Sequence, residues 1–404
     1  MKSHIAPRDS ADSMTLSRRA LIRAGLAGTA SGLLAADGLA LGGLFPNALT
    51  GASLAPLRPG SKTKHVVLVV MAGGVRSRET FGSPKQVPNL VRMADEGVLF
   101  TRLRTANLGH FGASMSIVTG ISEARGIRDN ARGPDPTLFE YVRKDLGLPA
   151  QDVWIATAGG AQQVNYAYGT HSEYGARYGA TTLDGDGVFN EEFKALVKRF
   201  GAPRPLGEGP AKKVDSLRRA LRGGKDATAE MDARARVERY ILDELGGGTS
   251  ALSGAGAQDA KALRLARNVL TVFRPRLIGV VLQAADIAHG SFNGYSEVVR
   301  RNDAAIGELV DGIRADPELR DSTAIFVLPE FGRDADLNMR RGLDHGDGSD
   351  DLRFVHGVAW GPDFKRNLVV KDDRKTIDFT PTIAQVFGAN ARMAKGSVLR
   401  EIFA

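Results

Sequence analysis

The sequence predicts an α/β fold, a three-layer sandwich in which a mostly parallel central sheet is flanked by helices. Short apolar runs rich in β-branched residues are typical of parallel strands buried on both faces, and HVVLVVM at His65 to Met71 is the strongest of them. Amphipathic helical segments alternate with these runs, as in proteins whose parallel strands are joined by helices. The 404 residues are 43% hydrophobic and 25% charged, which is ordinary for a large globular domain.

The first half of the predicted domain contains three strand and helix units. The strand HVVLVVM ends in Ala72-Gly73-Gly74, a turn that lets a ligand or another backbone approach closely. An amphipathic helix in VPNLVRMADEGVLF stops at Gly97 and leads into a short strand. The next helix begins near Ala113 and ends at Thr119-Gly120. Asp135-Pro136-Thr137 then opens a helix that is followed by the strand DVWIATA.

The regular alternation is interrupted between about 165 and 258. This segment contains Tyr- and Gly-rich loops and charged helical stretches, and it ends in LGGGTSALSGAGAQ, which is typical of a flexible hinge. We interpret 165–258 as a cap inserted between core strands, and we expect it to overhang the strand ends. The alternation resumes with the helix DAKALRLARNVLTVF, the strand RLIGVVLQ, the helix SEVVRRNDAAIGELVDGIRAD, the strands TAIFVLPE and HGVAWG and the helix DFTPTIAQVFG.

The N-terminus has the pattern of an export signal. The segment SRRALIR, which begins at Ser17, closely resembles the twin-arginine (Tat) motif, and a weakly apolar Gly/Ala-rich stretch follows it. A membrane anchor is the alternative, but Asp37 interrupts the apolar run, so no stable membrane span is expected after cleavage near Ala52. We predict a Tat signal peptide at 1–52, a linker at 53–63 and one domain at 64–404. The protein would engage the Tat export machinery and become periplasmic or secreted.

The composition excludes several classes of function. The chain has no cysteine, which excludes disulfides, a cysteine nucleophile and cysteine-ligated zinc. Its formal net charge of +8 is spread over a long chain, without a run of Lys and Arg interleaved with aromatic residues. No nucleic-acid partner is therefore expected.

Ionisable residues follow two of the predicted strands. In a sheet of this kind the functional site lies beyond the C-terminal ends of the strands. Asp286 and His289 follow RLIGVVLQ and can meet on one ion if they lie in a loop or a first helical turn. The alternative is a capping aspartate and a solvated histidine. Glu330 ends TAIFVLPE, where a buried acid requires a metal or a cation such as Arg333 as its partner.

A loop rich in Asp, Gly and Arg runs from 331 to 351 and carries Asp344 and His345. Aspartate, glutamate and histidine ligate zinc and manganese, and oxygen ligands favour the harder ions. The stretch DHGDGSDD also resembles a calcium loop, although the spacing of an EF-hand is absent. We predict a divalent metal ion, zinc or manganese with calcium as the alternative, whose candidate ligands are Asp286, His289, Glu330, Asp344 and His345.

Several segments, in chain order, resemble the alkaline phosphatase superfamily, which includes sulfatases, nucleotide phosphodiesterases and metal-dependent phosphoglycerate mutases. They are VPNLVRMADEGVLFTRLRT, SIVTG, DPTLFEYVRKDLG, NDAAIGELVDGIRADPELRDSTAIFVLPEFG, VAWGPDF and DFTPTIAQVFGANARMAKGSVL. EFGR and the later DHG are also similar to an exported branch of the superfamily whose members often carry Tat signals. The resemblance implies an alkaline phosphatase-like sandwich with a metal site, and a small anionic ester as substrate or ligand.

The resemblance also implies a catalytic pattern that this sequence follows only in part. The family has Asp-Gly after its first strand, where this chain has Gly73-Gly74, and a hydroxyl or thiol nucleophile where this chain has His110. It has an Asp and a His four residues apart where Asp286 and His289 are three apart. It has Asp-His where this chain has Glu330-Phe331, and its final histidine, which precedes a glycine, matches the His of DHG.

These departures leave about four or five ligands, whereas two adjacent metals need roughly six or more, so we expect one metal. A single ion lowers the pKa of a bound water toward ~7 and removes the need for a hydroxyl nucleophile. His110 would then be a ligand, a general base or a covalent nucleophile. Arg76 and Arg333 are predicted to bind the anionic group of the substrate.

Two functions remain open from the sequence. The first is a metal-dependent hydrolase or transferase acting on phosphate or sulfate esters, sulfatase-like or phosphatase-like. The second is a catalytically inactive binding protein of the cell envelope, a pseudoenzyme that has kept the fold and lost the chemistry. The fold does not distinguish them, because function depends on the site residues.

Overall fold

A central sheet organises the part of the chain that the structure, a computed structural model, describes: residues 60–122, 124–125, 130–158, 165–183 and 252–404. Its nine strands are β1 (His65–Met71), β2 (Val98–Arg104), β3 (Val153–Thr157), β4 (Thr181–Leu183), β5 (Leu277–Leu282), β6 (Thr323–Pro329), β7 (Phe354–Trp360), β8 (Leu368–Val370) and β9 (Arg374–Lys375). The strand order is β4-β3-β5-β1-β6-β7-β2-β8, with β9 beside β2. Strand β7 is antiparallel to β6 and β2, and the other pairings are parallel. The predicted mostly parallel sheet is confirmed.

Helices cover both faces of the sheet. They are α1 (Pro88–Glu96), α2 (His110–Thr119), α3 (Leu138–Asp145), α4 (Ala257–Phe273), α5 (Phe292–Ala315), α6 (Asp350–Arg353) and α7 (Phe379–Phe387). Because side chains of a strand alternate between faces, Val67 and Val69 of β1 pack in one core with α1, α4 and α5, whereas Val66 and Leu68 pack in the other with α2, α3 and α7. The three-layer sandwich is therefore confirmed. No described helix combines the length and the apolar character needed to cross a bilayer.

Helix α2 differs from its prediction at its N-terminal end. It begins at His110, three residues before the predicted start near Ala113, and ends as predicted before Gly120, whose φ of 72° closes the helix in the left-handed conformation. The early start is hard to see in the sequence because Gly112 interrupts the helical pattern. The earlier start makes His110 the first residue of the helix.

The predicted domain boundaries can be compared with the structure only in part. The signal peptide at 1–52, linker residues 53–59 and cap residues 184–251 lie outside the described residues. Residues 165–183, at the beginning of the predicted cap, contact the edge of the sheet and Glu140. Strand β4 of this segment pairs with β3 at the edge of the sheet, and the buried carboxylate of Glu140 accepts hydrogen bonds from the N–H groups of Gly169 and Gly175.

Candidate active site

Five polar side chains meet beyond the C-terminal ends of three adjacent strands, β5, β1 and β6. Asp286 and His289 lie in the 3-10 helix Ala284–His289, which follows β5. Glu330 follows β6 directly, and His110 enters the same edge of the sheet as the first residue of α2. His345 reaches it from the loop before α6, and its ring centroid lies 4.8 Å from that of His110. The structure thus brings these five side chains together at one edge of the sheet.

His110 is placed between two carboxylates. Its Nδ1 lies 2.6 Å from Oε1 of Glu330 and 3.0 Å from the carbonyl oxygen of Ala72, and its Nε2 lies 2.9 Å from Oδ1 of Asp286. Burial alone would lower the pKa of His110, but hydrogen bonds and charge attraction from Asp286 and Glu330 outweigh it and raise this pKa to about 10. The two carboxylates therefore favour the protonated form of His110.

Glu330 is fully buried, and it is satisfied by two neighbours. One oxygen faces His110, and Oε2 accepts a hydrogen bond from Oγ of Ser114 at 2.5 Å. Burial raises the pKa of Glu330 to about 7, against the opposing effects of His110 and Ser114. Tyr166 is hydrogen-bonded to Ser114, and its ring stacks on that of Phe111. Sequence reasoning missed Tyr166, because a tyrosine in an irregular segment carries no spacing signal.

Asp286 is paired with Arg333. Oδ1 of Asp286 accepts from Nη2 of Arg333 at 2.6 Å, and it also lies 3.3 Å from Nε2 of His289. Burial would raise the pKa of Asp286, but the bonds to His110 and Arg333 prevail and hold it well below its usual range. Arg333 itself is completely buried. Its N–H groups are directed at acceptors of the protein.

His289 is oriented by its partners on both sides. Its Nδ1 lies 2.6 Å from Oδ1 of Asp344, and its Nε2 lies 3.1 Å from Nη1 of Arg333. Because a guanidinium only donates, Nε2 accepts and the ring proton is on Nδ1, where it bonds Asp344. Asp344 thus orients His289 by the carboxylate–histidine arrangement that is common behind metal ligands. The structure places Asp344 beside the candidate ligand rather than among the three converging imidazoles.

His345 is half-buried among aromatic and cationic neighbours. Its ring centroid is 5.0 Å from that of His289 and 5.1 Å from that of Phe331. Burial lowers the pKa of His345, and the positive charges of His110 and Arg333 lower it further. The ring is therefore neutral near pH 7 and has a nitrogen lone pair to offer a metal ion.

Arg76 lies outside this cluster. It is buried and makes a bidentate ion pair with Glu79, with distances of 2.8 Å and 2.6 Å, and its Nη1 donates to the carbonyl oxygens of Asp334 and Ala335. The guanidinium thus secures the loop after β6 to the segment after β1. These contacts occupy four of the five N–H groups of the guanidinium and tie Arg76 into the scaffold.

Two carboxylates in and beside the loop of the possible calcium site accept hydrogen bonds from backbone N–H groups of the same region. Asp334 accepts from the N–H groups of Gly346 and Asp347, and Asp347 accepts from those of Ala335 and Ser349. Such bonds are typical of aspartates that stabilise turns. These carboxylates therefore shape the loop that delivers His345.

A single metal ion fits the histidines of the site. In the described part of the chain, His110, His289 and His345 each offer a ring nitrogen, and these atoms lie within 4.8 Å of one another. Three imidazoles with one open position are a common ligand set of catalytic zinc. An ion would take the place of the proton on Nε2 of His110 and of the Arg333 contact on Nε2 of His289.

Two positions where the family pattern has further metal ligands are occupied differently in this chain. At the end of β1 the chain has Gly73, and a Cβ there would lie 2.5 Å from the backbone nitrogen of Asp286, so the loop leaves no room for a carboxylate side chain. After β6, Phe331 packs against the rings of His110 and His345 where a second histidine would be needed. Arg333 already neutralises Asp286.

A buried carboxylate beneath the site positions the loop that carries Asp286 and His289. Asp259 of α4 is fully buried and accepts from the N–H groups of Gln283 and Ala284 and from Nδ2 of Asn302. Burial raises the pKa of Asp259 to about 6, although its three hydrogen bonds oppose the shift. These bonds join α4, the end of β5 and α5 at one point.

Comparison with known proteins supports the fold. No protein-family model matches the sequence, and a search of curated protein sequences finds no match. Two crystal structures of the alkaline phosphatase PafA, wild type and a variant with four substitutions, have TM-scores of 0.55 and 0.56 at 8% sequence identity, covering 86% of this chain and 100% of PafA. A phosphonate monoester hydrolase from Silicibacter pomeroyi is 14% identical over 84% of this chain and 76% of its own, with a TM-score of 0.47. The chain shares its fold with the alkaline phosphatase PafA, which agrees with the fold that the resemblance in the sequence predicted.

Proposed function

We propose that this chain, with its alkaline phosphatase-like fold, is an exported hydrolase or transferase of phosphate or sulfate esters that uses one divalent metal ion. The observation that carries the proposal is the convergence of His110, His289 and His345 at the strand ends. The three histidine side chains are half-buried. Three nitrogen donors favour zinc, with manganese as the alternative.

The surrounding carboxylates orient two of the three imidazoles. Glu330 and the carbonyl oxygen of Ala72 hold Nδ1 of His110, so Nε2 is the ring nitrogen left for an ion. Asp344 does the same for His289. Since a histidine ligand needs a fixed tautomer and ring orientation, these contacts prepare the site for a metal ion.

The substrate's anionic group has a place beside the imidazoles at the N-terminus of α2. The first N–H groups of a helix have no acceptor within the helix, and the helix dipole favours negative charge there. His110 is the first residue of α2, so an oxyanion at this end would lie next to the metal ligands. A bound divalent ion supplies Lewis-acid polarisation of the ester and lowers the pKa of water. The missing hydroxyl or thiol is consistent with attack by water.

A second function, an inactive binding protein, is favoured by one observation. Asp286 and Glu330 are already neutralised by Arg333 and His110, so the charges of the site are balanced without an ion. Such a site could bind a small anion without turning it over. Export through the N-terminal Tat signal is part of the proposal under either function.

Metal analysis combined with an ester panel distinguishes the two functions. Purified protein is stripped with a chelator, loaded with Zn²⁺ or Mn²⁺, and assayed with nitrophenyl phosphate, bis-nitrophenyl phosphate and nitrophenyl sulfate. If the chain is a hydrolase, we expect turnover of an ester only after loading with the metal ion. We also expect His345→Ala to lower the metal affinity by at least about 100-fold. The control is His171→Ala, which changes a histidine outside the cluster. Binding of phosphate or sulfate without turnover of any ester would support the binding protein instead.

A further inference from the structure

Arg333 is bonded on every side by the protein. Its Nη2 donates to Oδ1 of Asp286 at 2.6 Å and to the carbonyl oxygen of Gly73, and its Nη1 donates to Nε2 of His289 and to the carbonyl oxygen of Leu343 at 3.1 and 3.2 Å. Its Nε faces the carbonyl oxygen of Gly74 at 3.4 Å. The five N–H groups of the guanidinium therefore have five acceptors.

The acceptors around Arg333 are atoms that bind metal cations. They comprise a carboxylate oxygen, an imidazole nitrogen and backbone carbonyl oxygens, all of which ligate divalent ions in proteins. They come from three separate parts of the chain: the turn after β1, the helical turn after β5, and the loop after β6, which contains Leu343. A set of acceptors gathered from three loops around one buried charge is a cation site, and the guanidinium is its occupant.

The backbone is closed tightly around this occupant. A Cβ on Gly74 would lie 2.8 Å from Nε of Arg333, and a Cβ on Gly73 would lie 2.8 Å from backbone atoms of Ala285. Gly74 also has a φ of +69°, a conformation that side chains disfavour. Because both residues are glycines, the carbonyl oxygens of the turn after β1 can approach the guanidinium of Arg333.

We propose that Arg333 is a resident cation that occupies this site in place of a metal ion and competes with the metal of the neighbouring imidazoles. The competition has two sources. Nη1 of Arg333 occupies Nε2 of His289, one of the three candidate metal ligands, and its fixed positive charge lies beside the carboxylate of Asp286. Arg333 is thus a positioning residue that limits metal affinity. The inference rests on the proposed function only in that the competing ligand is a divalent ion.

The test is the Zn²⁺ affinity of Arg333→Met, measured on chelator-treated full-length protein by competition with a chromophoric chelator. Removing the charge frees Asp286 and His289, so the Kd should fall by at least about tenfold. Arg333→Lys keeps the charge and should leave the Kd within about threefold of wild type. Arg76→Met is the matched control, because it removes another buried arginine with carboxylate and carbonyl partners that contacts neither Asp286 nor His289. Its Kd should also stay within about threefold.

Each outcome decides one of the two proposals. An equal or larger Kd in Arg333→Met, or an equal gain in Arg333→Lys, would overturn the role of Arg333 and leave the proposed function standing. Zinc binding by Arg333→Met alone would support that role and contradict a metal-dependent wild-type enzyme. Failure of both proteins to bind zinc would overturn both. Should Arg333→Met fail to fold, Arg333→Gln has the same expected result, because it is also neutral.

Discussion

Glu330 and His110 form an ion pair that joins the end of β6 to the start of α2, with Oε1 2.6 Å from Nδ1. Glu330 is completely buried, and its second oxygen accepts from Ser114 of the same helix. One carboxylate therefore fixes the first turn of α2 against the sheet. It fixes the orientation of a candidate metal ligand at the same time, so stability and function depend on the same contact.

This relationship predicts that Glu330→Ala is strongly destabilising. Removing one partner of a buried pair leaves the other polar groups uncompensated and typically costs about 3–5 kcal/mol. Glu401→Ala is the control, since Glu401 pairs with Arg374 at the same distance of 2.6 Å but with a side chain 32% exposed, and such pairs contribute about 0–1 kcal/mol. The measurement is the free energy of unfolding in urea. Equal losses in both variants would show that the buried pair has no special role.

The sequence predicts the fold better than it predicts the site. The strand His65–Met71 is recognised to the residue, because a continuous β-branched run between polar segments has few alternatives. The expected convergence of Asp286, His289, Glu330 and His345 also follows from topology, since the ends of neighbouring parallel strands share one edge. The partners of these residues do not follow from topology, because pairing depends on rotamers and loop paths.

The two arginines illustrate what sequence patterns leave open. Both Arg76 and Arg333 follow strand ends, where a cation was expected to bind the substrate. In the structure, the guanidinium of Arg76 bonds to Glu79 and that of Arg333 bonds to Asp286. Both also donate to backbone carbonyl oxygens, which have no sequence signature. The strand Thr181–Leu183, within the segment predicted as the cap, is only three residues long. Short edge strands carry too little periodicity to be recognised.

Asp259 should influence metal binding without touching the ligands. Asp259→Ala removes the acceptor that holds the start of the loop after β5, so we expect a loss of about 2–3 kcal/mol in unfolding free energy and about tenfold in zinc affinity. The control is Asp303→Ala, another buried carboxylate that holds the N–H groups of Asn89 and Leu90 at the start of α1. It should lower stability comparably and leave zinc affinity unchanged. An equal loss of zinc affinity in both variants would contradict a positioning role for Asp259.

Gly73 should tolerate no side chain. The added methyl group of Gly73→Ala would lie 2.5 Å from the backbone nitrogen of Asp286, so the loop after β5 must move, at a cost of about 1–3 kcal/mol. Gly290→Ala is the control: a Cβ there meets nothing within 4 Å, and its φ of −114° suits alanine. Its unfolding free energy should stay within about 0.5 kcal/mol of wild type. Thermal denaturation of both variants checks this, and a fully stable Gly73→Ala would mean that the loop yields easily.

His65 should make the protein sensitive to mild acid. This histidine begins β1, is 4% exposed, and lies with Nδ1 2.6 Å from the carbonyl oxygen of Pro275, to which it donates. Burial lowers its pKa from 6.5 to about 4, and the positive charges of Arg276, Arg274 and Lys64 add to the shift, whereas the bond to Pro275 opposes it. Its neutral form is therefore the one that the folded protein accepts.

The sign of the effect follows from proton binding. Between pH 6.5 and 4 the unfolded chain binds the His65 proton and the folded protein does not. The contribution of neutral His65 to the free energy of unfolding is therefore fully present above pH 6.5, and it is lost as the pH falls through that window. The loss amounts to about 2–3 kcal/mol by pH 4.5. His65→Asn keeps an N–H donor near Pro275 but cannot be protonated, so its unfolding free energy should fall less between pH 7.5 and 4.5, by about that amount. Because the carboxylates that titrate in the same range are common to both proteins, they cancel in the difference. Parallel pH profiles for the two proteins would therefore place the acid sensitivity elsewhere in the chain.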